Sequence, residues 1–447
     1  MMATTPAPLA GAPHIAYRDG ELFIEDCALR TLAAEHGTPL YVYSRSAMLQ
    51  ALASYQRALA GRDHLLCYAM KANSNLAVLQ TFAQAGCGFD IVSGGELARV
   101  LAVGVDASRV VFSGVGKTRA EMRQALEAGV LCFNVESNGE LDVLSQVATE
   151  AGRLAKVSLR VNPDVDAGTH PYISTGLKAN KFGIAHDHAL ASYRRALSLP
   201  GLEVIGIDCH IGSQITAIGP YIDALDRLLD LVEAIEAQGI AIHHVDVGGG
   251  LGIDYHQGDA PPPSAESLVR AMLERIDARG HGHRKVLLEP GRSLVGNAGL
   301  LLSEVLYVKP GTEPEGDPAG LSKNFCIVDA AMNDLARPAM YQAWMQIVAC
   351  RERADKPMLF DVVGPVCESG DWLGRDRNLA VQPGDLIAVL SAGAYGMTMA
   401  GNYNTRPRAA EVMVSGEQAW RIRERETTAD LFRHEHLLPS AALSRSR

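Results

Sequence analysis

Between about residues 38 and 290, short apolar or β-branched runs alternate with longer helix-like segments, the pattern of strand–helix units around a parallel sheet. Eight runs read as strands: 64–69, 88–92, 109–112, 131–135, 156–161, 204–210, 242–247 and 285–289. Helix-like stretches such as Glu96 to Val103, Lys117 to Ala128, Gly139 to Ala151 and Tyr221 to Gln238 separate them. Eight such units in about 250 residues predict an α/β fold, a closed (β/α)8 TIM-like barrel. Beyond residue 300 the texture changes to strand-like runs at 303–308, 323–329, 357–363, 385–391 and 409–414, with few long amphipathic helices. A mainly β C-terminal domain, sandwich- or barrel-like, is expected there, and the strand-like segment His14 to Ile24 is expected to pair into it. The division read from this pattern is a barrel over 37–299, a β domain from 14–36 and 300–425, and tails at 1–13 and 438–447.

Nearly every predicted strand runs straight into polar or glycine-rich sequence. Examples are Lys71-Ala72-Asn73, Ser93-Gly94-Gly95-Glu96, His210-Ile211-Gly212-Ser213, Gly248-Gly249-Gly250 and Glu289-Pro290-Gly291-Arg292. Barrel enzymes place their chemistry at this face. Gly, Ser and Asn are also ordinary turn residues, so the argument needs particular side chains. A lysine at a strand mouth that is partly desolvated loses pKa and attacks carbonyls, a use that suits Lys71. The two glycine loops after the seventh and eighth strands stand where barrels bind phosphate, and Arg292 adds charge. Glu289 ends the last strand, where a carboxylate facing the bore is costly unless it meets a cation such as a protonated pyridine nitrogen. His210 ends another strand and could stack on such a ring or be an ordinary core histidine.

Composition narrows the partners. The chain has 447 residues, 47% hydrophobic and 21% charged, enough for two buried cores. Its formal charge of −10, from 41 basic and 51 acidic residues, argues against nucleic acid or an anionic membrane as partner. No apolar run reaches the length of about 18 residues expected of a membrane span. The stretch Met1 to Pro13 lacks the basic and apolar segments of a signal peptide and reads as an Ala/Pro-rich tail. Eight cysteines without a CxxC pair indicate reduced thiols and a cytoplasmic location. The pairs His243-His244 and His281/His283 lack a completing ligand set, so no metal is expected.

The motifs Tyr68-Ala69-Met70-Lys71-Ala72-Asn73, His210-Ile211-Gly212-Ser213-Gln214, Val247-Gly248-Gly249-Gly250 and Glu289-Pro290-Gly291-Arg292 stand in consistent order along the chain. Together they resemble the pyridoxal 5'-phosphate (PLP)-dependent decarboxylases of the alanine racemase-like barrel fold, most of all the diaminopimelate decarboxylases, from about residue 20 to 425. The resemblance implies that Lys71 holds the cofactor as a Schiff base, His210 stacks on its ring and Glu289 pairs with its pyridine nitrogen. It assigns Ser213, Gly249, Gly250, Gly291 and Arg292 to the phosphate, and adds Asp90 and Tyr395 to the cofactor set. Substrate recognition falls to Arg292, Arg337 and Tyr341, whose cationic and hydroxyl donors suit a carboxylate, together with Glu368 and Tyr395. The segment Gly364 to Asp371 is implied to come from the neighbouring subunit of a homodimer, with Cys367 protonating the carbanion and Glu368 contacting the substrate amine. The implied reaction is loss of CO2 from meso-2,6-diaminopimelate to give L-lysine. Its rivals are a decarboxylase for ornithine, arginine or carboxynorspermidine, an amino-acid racemase, and a catalytically silent PLP-binding regulator. A lid over Gly168 to Lys181 is a looser expectation.

Overall fold

Eight parallel strands close on themselves in the computed structural model, which describes residues 8–166, 168, 175–176, 180–258, 260–311 and 323–439. Most of the stretch suggested as a lid, and the end of the C-terminal tail, lie outside those residues. The barrel strands are β1 (His64–Ala69), β2 (Gly88–Ile91), β3 (Val110–Phe112), β4 (Cys132–Val135), β5 (Ala155–Asn162), β6 (Leu202–Asp208), β7 (His244–Asp246) and β8 (Lys285–Leu288). Each pairs with the next, and β8 returns to β1 with Val286 opposite His64. All eight were legible as short, mainly apolar runs because strands covered on both faces carry few polar side chains.

The helices between them begin where side chains satisfy the first free amides. Ser93 Oγ accepts from the Glu96 amide at 3.2 Å, and Ser137 Oγ from the Glu140 amide at 3.2 Å. Thr118 and Glu121 form a reciprocal capping box. Such caps stabilise by about 1 kcal/mol each and fix where each βα loop ends.

A second, nine-stranded sheet is built around the long strand β9 (Gly299–Lys309). It runs in order Trp372–Leu379, Met358–Val363, Asn324–Val328, β9, Leu40–Ser44, Ala410–Ser415 and Gln418–Arg423, with Leu386–Val389 also on β9 and Ile347–Ala349 beyond it. The strand Leu40–Ser44 falls in the stretch read as barrel. Its hydrogen-bonding partners are nonetheless β9 and Ala410–Ser415, and all five of its residues are buried. The segment from His14 makes a small sheet of its own, Ile15–Arg18, Glu21–Ile24 and Cys27–Ala28. It reaches the larger sheet through the Leu22 amide on the Cys350 carbonyl at 2.9 Å and shares an apolar core with Leu40, Val42, Leu300 and Leu302. Ala10, within the stretch read as a tail, is fully buried with its amide on Gln346 Oε1 at 2.8 Å.

The β sheet reaches the barrel mouth through the turn after Leu386–Val389. There Asn73 Nδ2 donates to the Gly393 carbonyl at 3.2 Å and the Tyr395 amide to the Ala72 carbonyl at 2.8 Å. A β-carbon on Gly393 would stand 1.9 Å from the Val295 carbonyl oxygen, so this close approach admits only glycine. Gly393→Ala is expected to cost about 1–3 kcal/mol, read as a lowered Tm, because backbone rather than a flexible side chain must give way.

Candidate active site

The mouth of the barrel opens into a cavity of ≈ 480 Å³ lined by Lys71, His210, Arg292, Arg337, Tyr341 and Tyr395 among others. Lys71 lies in the single 3-10 turn Met70–Ala72 that ends β1, and its Nζ donates to Asp90 Oδ2 at 2.8 Å. Burial would depress the lysine pKa, but Asp90, with Tyr395 and Glu289, outweighs it and raises the value. The sequence-based expectation of a depressed pKa is therefore reversed: the amine is held as an ammonium by the carboxylate at the end of β2.

His210 follows β6. Burial, then the charges of Arg160 and Lys71, hold its pKa well below the usual imidazole value. Its Nδ1 accepts from the Gly249 amide at 3.2 Å, which leaves the hydrogen of the neutral ring on Nε2. Glu289, beyond β8, is buried and accepts from Asn134 Nδ2 at 3.4 Å. Burial and the neighbouring Asp246, Asp90 and Asp208 push its pKa well above the ordinary carboxylate range.

Three glycine-bearing loops crowd together beside this group. A β-carbon on Gly249 would stand 2.0 Å from the Glu289 carbonyl oxygen, and one on Gly250 2.2 Å from that of Gly212. Only glycine lets these backbones approach so closely, and the loops bring Ser213, Gly249, Gly250 and Gly291 towards one end of the cavity. Arg292 closes the cradle, donating to Ser213 Oγ at 2.9 Å and Tyr255 Oη at 2.7 Å and stacking on the Tyr395 ring at 4.9 Å. Arg337, on the short helix Arg337–Tyr341, is 6% exposed and lies 5.6 Å from the Tyr255 ring centre.

Cys367 and Glu368 do not line the cavity of their own chain and are exposed. Their loop is nonetheless tightly tied. The buried Asp371 accepts from the Met332 and Val366 amides, each at 2.7 Å. Residues that sequence reasoning missed are Arg160, Asp208, Asp246 and Tyr255. Arg160 Nη1 bonds Glu136 Oε1 at 3.2 Å, and Asp246 Oδ1 accepts from the Gly248 amide at 2.9 Å, shaping the glycine loop from below.

A family model described as the pyridoxal binding domain of the pyridoxal-dependent decarboxylases matches residues 45–296. The diaminopimelate decarboxylase of Pseudomonas aeruginosa is 58% identical over 424 residues, covering 95% of this chain and 99% of that protein. That of Vibrio cholerae is 54% identical over 421 residues, covering 94% and 98%. The chain belongs to the diaminopimelate decarboxylase family. Solved structures agree. The diaminopimelate decarboxylase from M. jannaschii in co-complex with L-lysine is 38% identical, with TM-score 0.90 over 96% of this chain and 99% of that one. The Helicobacter pylori diaminopimelate decarboxylase complexed with L-lysine is 40% identical, with TM-score 0.85 over 91% and 99%.

The cofactor of this decarboxylase family is pyridoxal phosphate. The site suits it on its own geometry: an amine at the cavity, an end walled by closely packed glycine loops, and a buried carboxyl group, Glu289, with no ion-pair partner among the described residues. Replacing Asp90 by Asn removes the charge that raises the Lys71 pKa, leaving burial to lower it. In the cofactor-free protein at mildly alkaline pH, Asp90→Asn is expected to speed labelling of Lys71 by an amine-selective reagent about tenfold or more, followed by peptide mass analysis. An unchanged rate would mean the carboxylate does not govern the amine.

Proposed function

We infer that the chain removes CO2 from meso-2,6-diaminopimelate to leave L-lysine, using pyridoxal phosphate. The observation that carries the substrate reading is the pair Arg292 and Arg337. Both guanidiniums are buried at the cavity, and neither has an ion-pair partner among the described residues. Burial pulls the Arg337 pKa down, which Tyr255, Tyr395 and Tyr341 offset only in part. A distal carboxylate answers both groups, whereas ornithine, arginine or lysine would bring like charge against them.

In this reading Lys71 would hold the cofactor covalently, Ser213, Gly249, Gly250, Gly291 and Arg292 its phosphate, and Glu289 its ring nitrogen, with Asp90 and Tyr395 beside it. Neutral His210 would present a flat face rather than a charge. Bound pyridoxal phosphate supplies the electron sink for the pair released when the Cα–carboxylate bond breaks. Arg292 and Arg337, with Tyr341 and Tyr395, grip the distal end of the substrate and so fix which bond at the reacting carbon stands across the ring.

The position of Cys367 supports a homodimer with shared sites. Its loop is exposed, held by the Asp371 hydrogen bonds and outside the lining of the cavity of its own chain, as befits a segment delivered to a neighbouring subunit. There the Cys367 thiol would give the proton that replaces CO2 on the α-carbon, and Glu368 would meet the substrate amine. Free thiols at all eight cysteines support a cytoplasmic setting.

CO2 release from purified protein with PLP should occur with meso-diaminopimelate and not with ornithine, arginine or lysine. Release from a basic amino acid alone would overturn the distal-carboxylate reading. Arg337→Ala should raise KM for diaminopimelate more than it lowers kcat, at a total cost of about 2 kcal/mol or more. Mixing Lys71→Ala chains with Cys367→Ala chains should restore part of the activity through hybrid dimers carrying one intact site. Absence of rescue after subunit exchange would count against a shared site.

A further inference from the structure

Behind the turn that carries Lys71, where the barrel meets the second sheet, lies a cavity of ≈ 280 Å³ that shares no lining residue with the one described above. The barrel contributes Asn73, Ser74 and Asn75, which follow Lys71, and Arg99 from the helix Gly94–Ala102. The other wall brings Arg408 and, at the end of the strand Gln418–Arg423, Arg423. Three arginines thus share this lining with a single acid, Glu411.

The carboxylates within reach are already engaged. Glu411 is buried, with Oε1 accepting from the Tyr43 hydroxyl at 2.7 Å and Oε2 from Asn75 Nδ2 at 2.9 Å. Glu426 accepts from Arg408 Nε at 2.7 Å, and from the Arg408 amide and Asn402 Nδ2 at 2.9 Å each, so it answers Arg408. Arg423 is left over. Its Nη2 stands 3.7 Å from Glu426 and its Nε 4.0 Å from Glu411, too far for hydrogen bonds. That Nε is buried without a partner, and none of the five guanidinium N–H groups is hydrogen-bonded among the described residues. Arg99 has no ion-pair partner among them either, and its Nη1 donates only to the Ser74 carbonyl, at 3.0 Å.

We propose that this cavity binds a phosphate dianion, free or as the end group of a small phosphomonoester, which bridges Arg423 on the sheet side to Arg99 and the Ser74 hydroxyl on the barrel side. Two negative charges answer the two guanidiniums that no carboxylate hydrogen-bonds. A tetrahedral group also has oxygens enough for donors that arrive from both walls, where a single carboxylate would leave part of them unanswered. The position gives the anion a consequence for the active site. Thr398, also in the lining, donates to the Ala72 carbonyl at 3.4 Å, and Asn73 Nδ2 holds the Gly393 carbonyl. A phosphate spanning the seam would therefore tie the sheet to the barrel directly behind the lysine that carries the cofactor.

The test uses the holoenzyme, whose cofactor phosphate cradle is already filled. Inorganic phosphate is titrated at mildly alkaline pH with ionic strength held constant by chloride, and read by calorimetry and by Tm. Phosphate is expected to bind saturably and to raise Tm above the chloride control. Arg423→Gln and, separately, Arg99→Gln should each weaken that binding about tenfold or more, with decarboxylation in phosphate-free buffer unchanged. Arg99 is exposed, so its variant probes the site even where Arg423→Gln fails to fold. Glycerol 3-phosphate is the second probe. Tighter binding than inorganic phosphate, lost in the same variants, would assign the site to a phosphomonoester, and equal or weaker binding to the free ion. Absence of saturable phosphate binding would overturn the proposal. So would binding that survives Arg99→Gln undiminished, which would place the anion elsewhere on the chain.

Discussion

A carboxyl group inside a barrel bore is tolerated only beside a cation or with its proton in place, and this chain buries five of them, Asp90, Glu136, Asp208, Asp246 and Glu289, at or just beyond the ends of its barrel strands. Much of the site's geometry follows from how that charge is managed. Asp90 draws the Lys71 ammonium down onto the end of β2 and so aims the amine into the cavity. Asp246 spends one oxygen on the Gly248 amide, which turns the glycine loop over the bore. Arg160, drawn between Glu136 and Asp208, adds its charge beside His210 and helps keep that ring neutral.

The barrel alone does not complete this arrangement. The family model spans residues 45–296, yet Arg337, Tyr341, Cys367, Glu368 and Tyr395 all lie beyond it. The β sheet brings Tyr395 and Gly393 to the mouth by bonding to the backbone of Ala72 and to the side chain of Asn73, the residues that follow Lys71. In the proposed reading the cofactor half of the site would be carried mainly by barrel loops, with Tyr395 from the sheet, and much of the substrate half by the sheet that packs on them. A change in the second sheet can alter what is bound without disturbing how the cofactor is held.

The eight barrel strands and the glycine loops could be read from the sequence because each strand is a short, mainly apolar or β-branched run that stops at a polar turn. Leu40–Ser44 escaped that reading for a physical reason. A five-residue apolar run carries no mark of its partners, and those partners lie some 260 and 370 residues away in the chain. The strand Trp372–Leu379, Trp-Leu-Gly-Arg-Asp-Arg-Asn-Leu, has too little apolar content to announce itself. Arg160 and Asp246 were missed because single polar residues within strands look like exceptions. A usable signal was present in β5, where Ser158, Arg160 and Asn162 alternate with Leu159 and Val161, the period that sends one set into the bore. The direction of the Lys71 shift could not have been read at all, because Asp90 meets it only once β1 and β2 are paired.

If Arg292 and Arg337 receive the substrate as proposed, Tyr255 is what spares that half of the site an electrostatic problem. Arg292 and Arg337 are both buried, and two guanidiniums facing one cavity repel each other. Tyr255 stands between them, accepting from Arg292 Nη1 through its hydroxyl while its ring lies against Arg337. Burial by itself would raise the phenol pKa, but the two guanidiniums overcome it and lower the value. The tyrosine thereby shields the pair while no anion is bound, without neutralising either member as a carboxylate would. An aspartate or glutamate in its place would satisfy the arginines permanently and compete with the substrate. A phenol stabilises them enough to stay folded inward and leaves their charge available to a carboxylate that arrives.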